Sequence, residues 1–153
     1  MATPEERIAE LGLTLPEVVP PVASYRPTVR SGDHVYVSGQ LPFVEGELPT
    51  TGKVGAEVDA QAAQELAAVC ALNAIAAVRA EIGDLSKVVR IVKVGGFVAS
   101  DPDFTGHPGV INGASDLLGE VFGEAGVHAR AAVGVASLPL NAPVEVDMIV
   151  EVR

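Results

Sequence analysis

The chain has one cysteine, Cys70, no tryptophan, and only four Phe and two Tyr. A single thiol can close no internal disulfide and has no second thiolate with which to bind a metal. Stability must therefore come from packing, and the default setting is reducing and cytoplasmic. With aromatics so scarce, Val, Leu, Ile and Ala have to build the core, and their abundance is unlike that of a disordered chain. Long apolar runs are also missing. No segment offers the roughly 18 uninterrupted apolar residues of a membrane span, and Met1 to Gly12 carries three Glu and no apolar leader core. A soluble protein without a membrane partner is expected.

Positive charge is sparse as well. Ten Lys and Arg stand against twenty Asp and Glu, a formal net charge of −10, and a surface of that sign repels phosphate backbones. There is no basic cluster, so no nucleic-acid partner is expected, and the cations stand singly as ion-pair partners or ligand contacts. His34, His107 and His128 are too dispersed for a zinc spacing, and Gly52-Lys53-Val54-Gly55 lacks the further glycines and Ser/Thr of a phosphate loop. No metal and no cofactor are expected.

What is present fits one domain over residues 1–153, with residues 1–22 as an N-terminal helix and arm. Thr3-Pro4-Glu5-Glu6 combines a cap, a first-turn proline and acids at the positive end of a short helix. Pro16, Pro20 and Pro21 then force an extended arm, with Val18, Val19 and Val22 as its contacts. Tyr25–Arg30 and His34–Ser38 read as a β-hairpin turning at Ser31-Gly32-Asp33, followed by a long loop from Gly39 to Lys53. Asp59 caps a helix to Ile82 that stops at Gly83. It is apolar from Leu66 to Val78 except at Asn73, so it is covered on more than one side.

Val88–Ala99 reads as a strand buried on both faces, where Gly95-Gly96 marks a bulge or close backbone approach. After Pro108, the residues Val110, Ala114, Leu117, Leu118, Val121 and Phe122 form one helical stripe facing a sheet. His128–Leu138 and Pro143–Val152 read as two last strands joined in a hairpin through Pro139-Leu140-Asn141-Ala142. The order predicts an α+β protein, with two main helices on one face of a mixed sheet. Cys70 lies on the apolar helix and reads as a small core residue.

The stretch Ala129-Arg130-Ala131-Ala132-Val133-Gly134-Val135-Ala136-Ser137-Leu138-Pro139, followed by Val144-Glu145-Val146-Asp147, resembles the signature of the RidA/YjgF family. Tyr25, Val35-Tyr36-Val37-Ser38-Gly39-Gln40-Leu41-Pro42, Leu72-Asn73-Ala74-Ile75 and Val110-Ile111-Asn112 fall in the family's order, so the resemblance covers about Tyr25 to Glu151. It implies a chorismate-mutase-like fold and a homotrimer whose sheets form a central barrel, with ligand clefts between subunits. It also implies hydrolysis of reactive enamines and imines, such as 2-aminoacrylate or related 2-imino acids, to 2-keto acids and ammonia.

On that resemblance Arg130 grips the substrate carboxylate, as a planar guanidinium can through parallel hydrogen bonds, and Glu145 delivers water to the imine carbon. Tyr25, Ser38, Gly39, Asn112 and the backbone carbonyl of Ala132 line the pocket. Read without the family, each has a plainer meaning. Arg130 becomes a solvated strand-edge cation and Glu145 an outward strand residue; Tyr25 becomes a core or interface aromatic, Ser38-Gly39 a strand-ending turn, and Asn112 a loop bridge. Family members often carry Cys where Ala132 stands. Arg26, the Asp101–Gly109 loop and the N-terminal arm depart from the compact members, which points to a divergent subgroup whose preferred substrate need not be 2-aminoacrylate. The competing function is a non-catalytic sensor of small carboxylates. RNA cleavage is disfavoured by the charge, and chorismate mutase chemistry by the lack of cations for a dianion.

Overall fold

A computed structural model of the chain describes residues 1–18 and 23–153. The middle of the expected arm, residues 19–22, lies outside the described residues. Helix α1 (Pro4–Glu10) begins in a capping box in which the Thr3 side chain accepts from the Glu6 N–H while the Glu6 carboxylate accepts from the Thr3 N–H. Leu13 and Leu15 beyond it pack on the core.

Five strands form one mixed sheet in the order β1-β2-β5-β3-β4: β1 (Thr28–Ser31), β2 (His34–Gln40), β3 (Val88–Ala99), β4 (Ala129–Val135) and β5 (Val144–Val152). The hairpin turns where expected, with Ser31 paired to His34 and Gly32 in the left-handed region at φ +59°. Tyr25, read as part of the first strand, lies before it.

Helices α2 (Ala60–Ile82) and α3 (His107–Phe122) pack on each other and on one face of this sheet. Local chemistry sets the ends of α2: Asp59 accepts from the Ala62 N–H at 2.7 Å, and Gly83 leaves the helix at φ +84°. Strand β5 shows why the core forms beneath the helices. Val144, Val146, Met148, Val150 and Val152 are buried, whereas Glu145, Asp147, Ile149 and Glu151 alternate onto the other face. Each fully buried Val or Leu contributes about 1.5–3 kcal/mol to this arrangement.

The expected terminal hairpin is corrected. Strand β4 follows β3 through the α3 crossover and pairs parallel to it on the outside, while β5 enters antiparallel between β2 and β3. The two last strands are therefore separated by β3. Their connection turns through Leu140 and Asn141, both at positive φ, and is pinned where the Gly52 N–H donates to the Asn141 carbonyl at 2.9 Å. A proline-bearing link between two apolar strands looks the same in sequence whether the strands pair or straddle a third.

No helix among the described residues is long and apolar enough to cross a membrane.

Candidate functional site: two half-sites on opposite faces of the sheet

Arg130 lies on edge strand β4, opposite Val94 of β3, with its side chain on the helix-covered face. The residues aligned with it explain how the guanidinium reaches α3. Ala132 is small and packs on the core, and a side chain on Gly134 would overlap the His107 ring. Pro108, Asn112 and Ser115 follow helical i+4 and i+3 spacing and so share one face of α3. Arg130 Nη1 donates to Asn112 Oδ1 at 2.8 Å and to Ser115 Oγ at 3.2 Å, and Nη2 donates more loosely to the Pro108 carbonyl at 3.4 Å.

All three acceptors are neutral oxygens. A half-buried cation held only by neutral groups keeps its charge uncompensated and is poised for an anion.

Glu145 belongs to a different cluster. Strand β2 bulges between Val37 and Gln40 against β5, and there Gly39 lies directly beneath the Glu145 carboxylate, so a Cβ on Gly39 would overlap it. Gly95 of β3 gives the same clearance to Asp147. Both acids are half-buried on the helix-free face. Burial raises the Glu145 carboxyl above its ordinary value, and the Asp147 charge adds to this. Burial likewise raises Asp147, partly offset by the Gly95 N–H and by Lys93.

Ser38 joins this cluster through the backbone. Its hydroxyl donates to the Arg26 carbonyl at 2.6 Å and its N–H to the Pro27 carbonyl at 2.8 Å, tying the Tyr25–Pro27 segment to β2. Tyr25 is 62% exposed and stands beside Ala77 and Glu81 of α2.

The expected residues thus gather in two sets. Arg130, Asn112 and Ala132 meet between β4 and α3; Tyr25, Ser38, Gly39 and Glu145 follow β2 and β5. Within one chain Arg130 lies on the helix-covered face and Glu145, with Gly39, on the other, with β3 between them, so Arg130 and Glu145 do not converge, and Tyr25 stands beside α2.

The family model described as "YjgF/chorismate_mutase-like, putative endoribonuclease" matches residues 5–152. The chain belongs to the YjgF/RidA family. Among its relatives, Protein TCP17 of Trypanosoma cruzi is 46% identical over 147 residues, 95% of this chain and 92% of that protein. The 2-iminobutanoate/2-iminopropanoate deaminase of Dermatophagoides farinae is 32% identical, covering 92% of this chain and 95% of the relative. The crystal structure of Atu1372 from Agrobacterium tumefaciens, a protein of unknown function, superposes with a TM-score of 0.92 at 54% identity, over 98% of this chain and 92% of that one. The five-stranded mixed sheet with its two helices is this YjgF-like fold.

Three groups escaped the sequence reading. Ser115 and the Pro108 carbonyl hold Arg130, and Asp147 stands next to Glu145 on the open face. The helical spacing from Asn112 to Ser115 and the strand spacing from Glu145 to Asp147 were available as signals. Neither had meaning until the faces they occupy were known.

Proposed function

We propose that this protein is an enamine/imine deaminase whose clefts form between subunits of a homotrimer, Arg130 coming from one subunit and Glu145 from the next. The observation that carries the reading is the half-buried Arg130 guanidinium, held by Asn112, Ser115 and Pro108 and paired with no carboxylate among the described residues. Support for assembly comes from the helix-free face, where Val29, Tyr36 and Val133 are exposed around half-buried acids. A sheet with apolar groups on both faces and helices on one needs a second surface, and closing several sheets into a central barrel supplies it.

In this reading a 2-imino acid docks its carboxylate on Arg130, and an enamine such as 2-aminoacrylate enters after tautomerising to its imine. Glu145 of the neighbouring subunit takes a proton from water as the oxygen bonds to the imine carbon, giving a carbinolamine. Glu145 returns that proton to nitrogen, then carries the carbinolamine hydroxyl proton to the departing nitrogen as C–O becomes C=O and the C–N bond breaks, so that ammonia leaves a 2-keto acid. The raised Glu145 carboxyl suits a group that takes up and returns a proton. Ala132 offers a backbone carbonyl near Arg130, and Asn112 keeps the guanidinium flat against the cleft. The name of the Dermatophagoides farinae relative supports the substrate class. No step asks for a metal or organic cofactor, nor for nucleic acid.

The test is release of ammonia and 2-keto acid from freshly generated 2-iminobutanoate or 2-iminopropanoate. Turnover above the uncatalysed rate, abolished in Arg130→Ala, is expected, and none in the wild type overturns the reading. A second reading has one observation in its favour: the Arg130 half-site is complete within a single chain without an acid, as a carboxylate sensor needs. Saturable binding of 2-oxobutanoate without turnover would select it.

A further inference from the structure

The Arg130 half-site includes a hydrogen-bond chain that imine hydrolysis itself does not require. His128 Nδ1 lies 2.6 Å from the Gly126 carbonyl, and His128 Nε2 lies 2.9 Å from Ser115 Oγ, the same oxygen that accepts from Arg130 Nη1. A carbonyl can only accept, so Nδ1 carries the proton and, in the neutral ring, Nε2 is left as an acceptor. In that ring form the Ser115 hydroxyl has one assignment. Its hydrogen points to Nε2, and its lone pairs are turned toward the guanidinium, which can only donate.

The chain is anchored at its far end. A Cβ on Gly126 would overlap the Leu118 carbonyl of α3, so the Gly126 backbone lies flush on the helix and its carbonyl has little freedom to move. Gly126 and His128 close the loop that leads into β4, while Ser115 and Asn112 come from α3. The guanidinium is thus referenced to both elements that flank its cleft.

We propose that His128 and Ser115 are positioning residues, which hold Arg130 in its ligand-gripping conformation through the chain that runs from the Gly126 carbonyl by way of the imidazole to the Ser115 hydroxyl. The inference rests on Arg130 as the carboxylate grip and deepens that reading. Arginine has many rotamers, and ordering it before the ligand arrives removes that entropy from the cost of binding. Asn112 and Pro108 restrain the guanidinium edge, and the Ser115–His128 chain fixes where along β4 it sits.

Two measurements test this. Without any ligand, nitrogen-15 imidazole spectra of the wild type are expected to show His128 as the Nδ1–H tautomer. Slow exchange of the Arg130 guanidinium protons should accompany it and be lost in His128→Phe. An Nε2–H tautomer, or Arg130 exchange unchanged in His128→Phe, overturns the proposal. With ligand, His128→Phe and Ser115→Ala are each expected to weaken 2-oxobutanoate binding and raise KM for 2-iminobutanoate by about tenfold with kcat retained. His128→Gln, whose amide oxygen can accept from Ser115, and Ser115→Thr should recover most of the loss. Equal losses in the Phe and Gln variants, or a fall in kcat at constant KM, also overturn it. A wild type that neither binds 2-oxobutanoate nor turns over the imine defeats the reading of Arg130 instead, while the tautomer and exchange experiments still decide whether the chain holds it.

Discussion

The Glu145 carboxylate occupies the space that a side chain on Gly39 would fill. The contact involves the far end of a half-exposed side chain, so a methyl group at position 39 is expected to swing Glu145 aside rather than disrupt the core. Gly39→Ala should therefore keep its folding stability within about 1 kcal/mol of the wild type. If the proposed deaminase reading holds, turnover should fall about as far as in Glu145→Gln, on the order of 10²-fold for loss of a general base. Denaturant unfolding and ammonia release on the two variants check this, and a fully active Gly39→Ala would remove Glu145 from the mechanism.

Gly96 makes the opposite case. A Cβ there meets three atoms of Ile111, at 2.5, 2.6 and 2.7 Å, beneath the helix layer. Ile111 is fully buried and cannot swing away, so Gly96→Ala should cost about 1–3 kcal/mol through overpacking. Thermal unfolding of this variant, set beside Gly39→Ala, compares the same added methyl on the two faces of the sheet.

Asp147 gives a prediction with a definite sign. Its carboxyl is raised in the folded chain, chiefly by burial, and returns to its ordinary value on unfolding. Between those two values the folded state holds more protons, so folding stability contributed by this group falls as pH rises through the window. Above it the charged, half-buried carboxylate is a standing penalty. Asp147→Asn removes the charge at nearly unchanged side-chain volume. It should be more stable than the wild type near about pH 8, with the difference closing as pH falls toward about 4. The magnitude is reduced by solvent screening at a half-exposed site. Urea midpoints across pH measure it, and an Asn variant less stable at the alkaline end reverses the sign.

Cys70 tests the core directly. It is fully buried, its thiol lies 3.8 Å from the Val144 carbonyl, and burial, with the Glu145 charge second, pushes the thiol well above its ordinary value. A thiol that stays protonated and inaccessible is a poor nucleophile. Alkylating reagents should leave Cys70 unmodified in the native protein and label it at the rate of global unfolding.

Much of the scaffold was legible because its signals are local. Asp59 and Gly83 mark both ends of α2 by capping chemistry, and Gly95-Gly96 announced a bulge or a close approach, of which the structure shows the close approach, because two glycines weaken a strand that has no other use for them. What they approach, Asp147 on one face and Ile111 on the other, depends on sheet order. The same dependence hid the insertion of β5 between β2 and β3. Arg130, Asn112, Gly39 and Glu145 could be named from motif order. Their division into two half-sites could not, since it follows from which face each strand turns to the helices. His128 looked like one histidine among three until the packing of α3 against β4 brought Ser115 to its ring.

That division yields the most discriminating experiment. Arg130→Ala subunits keep Glu145, and Glu145→Gln subunits keep Arg130. If each cleft takes the cation from one chain and the acid from the next, either variant alone is inactive. Mixing them by co-expression or by unfolding and reassembly should restore function in about a quarter of the clefts, since each needs an intact contribution from both neighbours in a cyclic assembly. If both groups had to come from one chain, no mixture could build a working cleft. The β4-edge variant Val133→Asp adds a control, because Val133 lies exposed on the helix-free face opposite Phe97. A charge there should dissociate the assembly in light scattering and abolish turnover together, leaving the Arg130–Asn112 contact intact within each chain. Activity retained by dissociated Val133→Asp subunits, or absent from the mixed variants, would mean that the two half-sites do not work across a subunit boundary.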